Sequence, residues 1–258
     1  MFNLNNGYFV QKSPKIKTLN IIRDEIYELI KNIFQYDCPD IDYGLNNFHN
    51  LTKKTNDIEF NEKRILLINQ LNEKLDIGQL IFDSFKDTLF NLLGPDILIQ
   101  KKCNLVIQKP NDPNPSELHR DAPTNSPYEI VLWLPLVDCY KTKAMYVVDY
   151  KSTKKLYKNL DKHKDWELFE KDSIQNATEL PVKFGEALFF STAILHGSKI
   201  NKENETRFSL NIRFKNIFSP SGLKNQLQFF KKLNISNLVK IGSSIELKKS
   251  KFLNQNFK

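Results

Sequence analysis

The sequence predicts a mainly β protein with N-terminal helices. Three observations point there. Apolar residues recur at helical spacing up to about residue 93, runs of β-branched and aromatic residues replace them from about residue 97, and Pro, Asn, Asp and Gly punctuate those runs. Helices first and many short strands after them suggest a β-sandwich or barrel backed by helices. The 258 residues fit one domain. Within it, 1–96 forms a helical region packed on the core, 97–220 the core itself, and 221–258 a C-terminal helix with a basic tail.

The first helix is expected at about 17–35, where Ile22, Ile26, Leu29, Ile30 and Ile33 recur with charges between them. CPDIDYGLNNFHNLTKK reads as a polar connector. A second helix is expected at about 58–74 and a third at about 77–93, stopped by Gly94-Pro95. DILIQKKCNLVIQKP has the character of a strand, and NDPNPSE that of a loop. YEIVLWLPLVD is too apolar for a strand exposed on both faces, and KAMYVVDYKS is a third strand. The charged stretch 151–178, with His163 and Trp166, reads as a helical or irregular insertion. LPVKFGEALFFSTAILHGS gives two short strands around a turn at Gly185, and TRFSLNIRFKNIF one more. From about 223 a helix is expected, followed by Lys-rich sequence of weak pattern.

At 40% hydrophobic and 12% aromatic the chain can bury a sizeable core. It has no apolar run of membrane-spanning length, and MFNLNNGYFVQKSPK lacks the basic and apolar regions of a secretory signal. Cys38, Cys103 and Cys139 are odd in number and widely spaced, which fits a reduced, cytoplasmic protein without a disulfide framework. The net charge of +8 suggests either an acidic partner or a bias toward Lys. The lysines are spread along the chain, which argues against a dedicated nucleic-acid patch.

The chemistry is carried by a few polar residues. His119 and Asp121 flank a single residue, so on extended backbone both side chains point the same way. His196 is delivered by the end of an apolar strand. Two His and one carboxylate form the facial triad of non-heme Fe(II) sites, which leaves coordination positions open. A His-x-Asp alone is also common in solvated loops; the ordered set with His196 and a downstream Arg separates the two readings. Arg207 and Ser209 alternate with Phe208 and Leu210 and so share a strand face. An Arg fork there can grip a carboxylate, with the hydroxyl adding a hydrogen bond. Arg213 falls on the same face. Tyr128 and Tyr146 are candidates for the pocket wall or for the core. Gln100 and Lys102 share a face near the metal loop. His49 and His163 take no role.

The residues His119-Arg120-Asp121, VLWLPLVDC with AMYVV after it, FGEALFFSTAILHGS around His196, and Arg207-Phe208-Ser209 together resemble the 2-oxoglutarate/Fe(II)-dependent dioxygenase superfamily, in its phytanoyl-CoA hydroxylase-like branch. The resemblance covers roughly 97–220 and is similar to bacterial members found among carbohydrate-biosynthesis genes. It implies a double-stranded β-helix, a cupin-like jelly roll whose mouth holds the metal. It implies Fe(II) on His119, Asp121 and His196, with 2-oxoglutarate and O2 as co-substrates. Arg207, Ser209 and Tyr128 would bind 2-oxoglutarate; Gln100, Lys102, Arg120, Trp133, Tyr146 and Arg213 are substrate candidates. The reaction implied is hydroxylation, or desaturation or epimerisation, of a small molecule, with an anionic sugar derivative as the expected partner. Asp121 argues against halogenating variants, which lack that carboxylate. The pattern departs at Trp133, where relatives often carry a smaller polar residue, and at 151–178, where such enzymes often carry a lid or substrate loop. Two rivals remain. One is an alkylation-repair-type nucleic acid dioxygenase, which also has two Arg six apart. The other is a non-catalytic jelly-roll binding module, whose structural metal would need a fourth ligand.

Overall fold

The computed structural model describes residues 5–36, 38–53, 55–224 and 226–244. Strand β1 (Tyr8–Lys12) comes first. Helices α1 (Ile16–Phe34), α2 (Ile41–Asn46), α3 (Phe48–Leu51), α4 (Asp57–Lys74) and α5 (Ile77–Leu93) follow. The three long helices lie where their apolar spacing places them. Helix α1 buries Leu19, Ile22, Ile26, Leu29 and Ile30 on one face and ends at Gln35 in the left-handed region, φ 55°. Asn56 and Asp76 accept from backbone N–H groups in the first turns of α4 and α5. Gly94, at φ 75°, stops α5. The polar connector holds the short α2 and α3, and Asp40 caps α2 by accepting from Tyr43 N–H at 2.9 Å.

The remaining elements are β2 (Ile97–Gln100), β3 (Asn104–Gln108), β4 (Glu129–Pro135), β5 (Met145–Val147), α6 (Tyr150–His163), α7 (Trp166–Asn176) and β6 (Thr178–Leu180). Then come β7 (Glu186–Ser191), β8 (His196–Ser198), β9 (Arg207–Asn216), α8 (Gln226–Phe229), β10 (Phe230–Asn234) and α9 (Asn237–Ser244). The large sheet runs β1-β7-β4-β9-β2-β10, with β3 also on β9. The small sheet runs β6-β5-β8. Residues 116–119 extend it past β8 through Ser198 N–H to Ser116 O and the paired bonds between His119 and His196.

The expected single strand over 97–108 is two strands. The ten-residue β9 accommodates both: β3 pairs with its first half and β2 with its end. Between them Asn72 of α4 accepts from Cys103 N–H at 2.8 Å and donates to Cys103 O at 3.1 Å, taking the backbone groups a continuous ladder would use. The tail also differs from expectation. Besides helix it holds β10, antiparallel to β2, while 245–258 lie outside the described residues.

The parity of β9 organises the molecule. Phe208, Leu210, Ile212 and Phe214 are at most 1% exposed and face the helical layer. Phe48 meets Phe208 edge-on at 5.2 Å, and Phe85 meets Phe189 at 5.3 Å. Arg207, Ser209, Asn211 and Arg213 face the other way, into the space between the sheets. The insertion is two helices, and it packs behind the small sheet. Leu156 of α6 joins Val148 and Leu195, with Leu118 against the same cluster. Leu118 and Leu195 each precede a histidine, so their outward burial turns His119 and His196 inward.

Phe208→Ala is expected to lower unfolding stability by about 3–5 kcal/mol, because it empties a fully packed site between β9 and α3. Urea denaturation checks this; a loss below about 1 kcal/mol would show that the helical layer is not held through this ring.

Candidate metal centre

His119 and His196 face each other across two antiparallel segments. Each N–H donates to the other's carbonyl at 2.9 Å, and the ring centroids are 4.5 Å apart. Each ring is oriented by its own backbone: His119 Nδ1 lies 2.8 Å from Glu117 O, and His196 Nδ1 lies 3.0 Å from Ile194 O. A carbonyl only accepts, so Nδ1 carries the proton and the Nε2 lone pair is free for a metal. Asp121 Oδ1 is 3.6 Å from His119 Nε2, and Oδ2 is 3.9 Å from His196 Nε2. One donor atom from each of the three residues lies within 4.8 Å of the others. Among the described residues no fourth His, Cys, Asp or Glu joins them.

Gly197 permits the close pairing. A Cβ there would lie 2.8 Å from Ser116 O and 2.9 Å from Glu117 O, both backbone atoms of the segment that carries His119. Phe190 packs on His196 with centroids 4.5 Å apart.

Electrostatics favour the ligating protonation states of His196 and Asp121. Burial pushes the His196 imidazole down to about 4, so it is neutral near neutral pH. Burial alone would raise the Asp121 carboxyl. The closeness of His119, 3.6 Å away, and of Arg213 and His196 outweighs it, holding Asp121 well below the usual carboxylate range. The neighbouring Asp121 carboxylate raises His119. Arg213 donates to Asp121 Oδ2 from Nη2 at 2.7 Å and from Nε at 3.3 Å, and its Nη1 lies 3.4 Å from Gln100 Oε1. Gln100 in turn donates to Lys102 O at 2.8 Å. This leaves Asp121 Oδ1 as the oxygen toward His119.

The three residues open onto a cavity of about 310 Å³ between the sheets. Val131, Trp133, Met145 and Phe190 form apolar wall, and Asn104, Ser209, Asn211, Arg207 and Arg213 the polar part. Arg207 is 4% exposed. Its Nε and Nη1, and Ser209 Oγ beside it, have no hydrogen-bond partner. A buried guanidinium with open donors is costly unless an anion meets it. A carboxylate with its other end at the metal fits this donor set, so the residues present suit both Fe(II) and 2-oxoglutarate.

Of the residues singled out from sequence, the structure gathers His119, Asp121, His196, Arg207, Ser209, Trp133 and Arg213 around this cavity. Five others lie elsewhere. Tyr128 is 57% exposed, beside Leu92 and Leu93 at the far end of β4, because the turn before the strand points it outward. Gln100 sits behind Arg213, outside the cavity wall, and Lys102 is exposed in the turn that breaks β2 from β3. Arg120 alternates away from His119 and Asp121; its guanidinium lies 4.0 Å from the Tyr157 ring of α6. Tyr146 has the opposite parity to Met145, which takes the wall position, and lies near Lys199. His49 contacts Thr206 at 3.0 Å and His163 is exposed. Sequence reasoning missed Asn104, Asn211, Val131, Met145, Phe190 and Gly197. Asn211 was accessible from its shared parity with Arg207, and Val131 from its shared parity with Trp133.

A jelly roll with this triad at its cavity defines a metal-dependent oxygenase scaffold. The phytanoyl-CoA dioxygenase (PhyH) family matches the chain over residues 5–209, and the chain belongs to that family. It is a 2-oxoglutarate-dependent non-heme iron oxygenase. No curated relative matches the chain by sequence. Among solved structures, the non-heme monooxygenase ThoJ in its nickel complex is 15% identical, with TM-score 0.54, over 90% of this chain and 82% of its own. The α-ketoglutarate-dependent carbocyclase SnoK from nogalamycin biosynthesis is 14% identical, with TM-score 0.55, over 87% and 85%. HygX from Streptomyces hygroscopicus, with nickel and 2-oxoglutarate bound, is 11% identical, with TM-score 0.50, over 83% and 84%. These likenesses concern the fold.

Gly197→Ala is expected to push the His119 segment off β8 and weaken metal binding about tenfold or more, as misplacing ligand supports does. Competition with a chromophoric chelator measures this. Unchanged affinity would mean that the pairing of His119 with His196 does not set the site.

Proposed function

We propose that this oxygenase hydroxylates a C–H bond of a small molecule, a sugar or sugar-linked metabolite, with Fe(II) on His119, Asp121 and His196 and 2-oxoglutarate anchored by Arg207 and Ser209. The observation that carries the reading is the buried guanidinium of Arg207, with Nε and Nη1 unpartnered, beside an unpartnered Ser209 hydroxyl on the cavity that also holds the triad. A carboxylate, which accepts from a guanidinium and a hydroxyl together, suits these donors.

The bound metal and co-substrate supply the oxidising power: 2-oxoglutarate and O2 become succinate and CO2, and the second oxygen atom goes to the substrate carbon. The chain supplies the arrangement. The Nδ1 bonds to Glu117 O and Ile194 O hold both imidazoles with Nε2 inward. Arg213 occupies Asp121 Oδ2, so the carboxylate offers Oδ1. Trp133, Val131, Met145 and Phe190 keep water from the reacting centre. Arg207 and Ser209 fix the far end of the co-substrate and hence its orientation.

Two observations weigh against the rivals. A structural metal would be closed by a fourth ligand, and the triad has none among the described residues. A base-flipping enzyme needs a lid over the pocket, whereas Phe48 and Phe85 of the N-terminal helical layer pack on the outer face of the large sheet.

Anaerobic addition of Fe(II) and then 2-oxoglutarate should give the weak visible charge-transfer band of the chelate. Asp121→Ala should abolish it. Arg207→Ala should raise the 2-oxoglutarate dissociation constant about 10–100-fold, the effect of losing a charge-assisted pair. Absence of the band in metal-loaded wild type would overturn the proposal for the site. Failure of every sugar and sugar derivative to stimulate succinate release would overturn the substrate class.

A further inference from the structure

We propose that a second cavity, joined to the metal cavity at Arg207, is a subsite for a polyhydroxylated group of the substrate, a sugar ring read by Gln108 and Asp112. This rests on the oxygenase reading above, since it assigns part of the same cleft.

The second cavity, of about 410 Å³, lies between α4, β3 and the loop before residue 116. It shares Val106, Ser116, Ser198 and Arg207 with the metal cavity, so the two form one cleft with Arg207 in the common wall. Gln108 stands opposite Arg207 in the β3–β9 register. It is 3% exposed, and its Nε2 donates to Lys199 O at 2.8 Å. That bond fixes the amide, because the flipped amide would set oxygen against oxygen. Gln108 Oε1 is therefore a buried acceptor, and it has no partner. Gln108 and Arg207 thus bring to this wall a buried acceptor and two buried donor nitrogens that have no partner. Asp112 adds a second acceptor to the lining. Arg64 adds a guanidinium whose Nε and Nη2 are already given to Asn61 Oδ1.

This mixture selects among ligand chemistries. A carboxylate or phosphate offers acceptors only; it would suit Arg207 but leave Gln108 Oε1 unpaired and meet Asp112 with like charge. An alkyl chain would leave every polar atom unpaired. A hydroxyl both donates and accepts, and neighbouring hydroxyls on a ring can meet Gln108 and Asp112 together. The 2-oxoglutarate carboxylate does not compete for all of Arg207, since it engages two of five guanidinium donors.

The test uses the zinc- and 2-oxoglutarate-loaded enzyme, with the methyl glycosides of glucose, galactose and mannose as probes. Glucose 6-phosphate and hexanol serve as anionic and apolar comparators. Binding is read by saturation-transfer NMR and titration, in wild type, Gln108→Leu and Asn61→Trp. The second variant fills the cavity from an exposed position of α4, so it stays informative if the first fails to fold. The expected result is that at least one neutral glycoside binds wild type and weakens about tenfold in both variants, the effect of one lost buried hydrogen bond or of a blocked site. Three results would overturn the subsite: no glycoside bound, meaning that the open atoms hold water only; equal binding in all three proteins; or glucose 6-phosphate bound more tightly than every neutral glycoside. The charge-transfer band of the iron enzyme, measured in parallel, separates the two readings. A normal band without glycoside binding removes the subsite alone, and glycoside binding without a band removes the oxygenase assignment alone.

Discussion

The reciprocal backbone bonds between His119 and His196 are the constraint on which the site depends. They hold two chain segments, 77 positions apart in sequence, in one register. In that register both imidazoles fall on the inner face, and their Nδ1 protons find carbonyls of their own segments. Everything nearby protects the pairing. Gly197 lets the backbones approach. Leu118 and Leu195, next to the histidines, are gripped from behind by the cluster that includes Leu156 of the insertion. The insertion thus acts as a buttress to the metal-bearing segments. Its charged sequence reflects the solvent face of α6 and α7; Leu156 and Leu160 of α6 are buried, whereas Trp166, Leu168 and Ile174 of α7 are exposed.

Strand β9 plays the same part for the co-substrate. Because side chains alternate, its even positions build the core against the helices and its odd positions build the polar wall of the cavity. A slip of one residue would put Arg207 into the core and Phe208 into the cleft. Folding and function are therefore bound to one register. Core burial of four large apolar side chains contributes on the order of 1.5–3 kcal/mol each and fixes that register strongly. The open donors of Arg207 weigh the other way until an anion arrives, so ligand binding and stability are linked.

Much of this was legible from the sequence, for physical reasons. Helix α1 carries a complete apolar stripe, α5 has a clear stop at Gly94-Pro95, and the alternation in RFSLNIRFKN fixes the faces of β9 without any structure. The elements that escaped notice, β1 and β10, are edge strands of the large sheet. An edge strand needs no full apolar pattern. Tyr128 and Lys102 were misplaced because they sit in turns, where alternation gives no face. Gln100 was drawn toward the substrate by its parity, whereas its real partner, Arg213, comes from β9. Gly197 carries a close approach between segments, and a single sequence shows nothing of that.

The availability of Arg207 is itself arranged. Glu205, two residues before it, is the acid nearest to it in sequence, and it is held by other partners. Lys143, fully buried, instead takes Glu205 Oε2 at 2.8 Å, and Tyr140 donates to the same oxygen at 3.0 Å. Lys143 also donates to Asn46 of α2 at 2.8 Å, and Asn201 Nδ2 donates to Glu205 O at 2.8 Å, so the start of β9 is pinned from several sides. A lysine buried without an acid would be strongly disfavoured. Pairing Lys143 with Glu205 meets that cost without drawing on Arg207, whose Nε and Nη1 stay without a partner. That separation of charges, with Lys143 on Glu205 and Arg207 left over, makes the start of β9 an anion anchor.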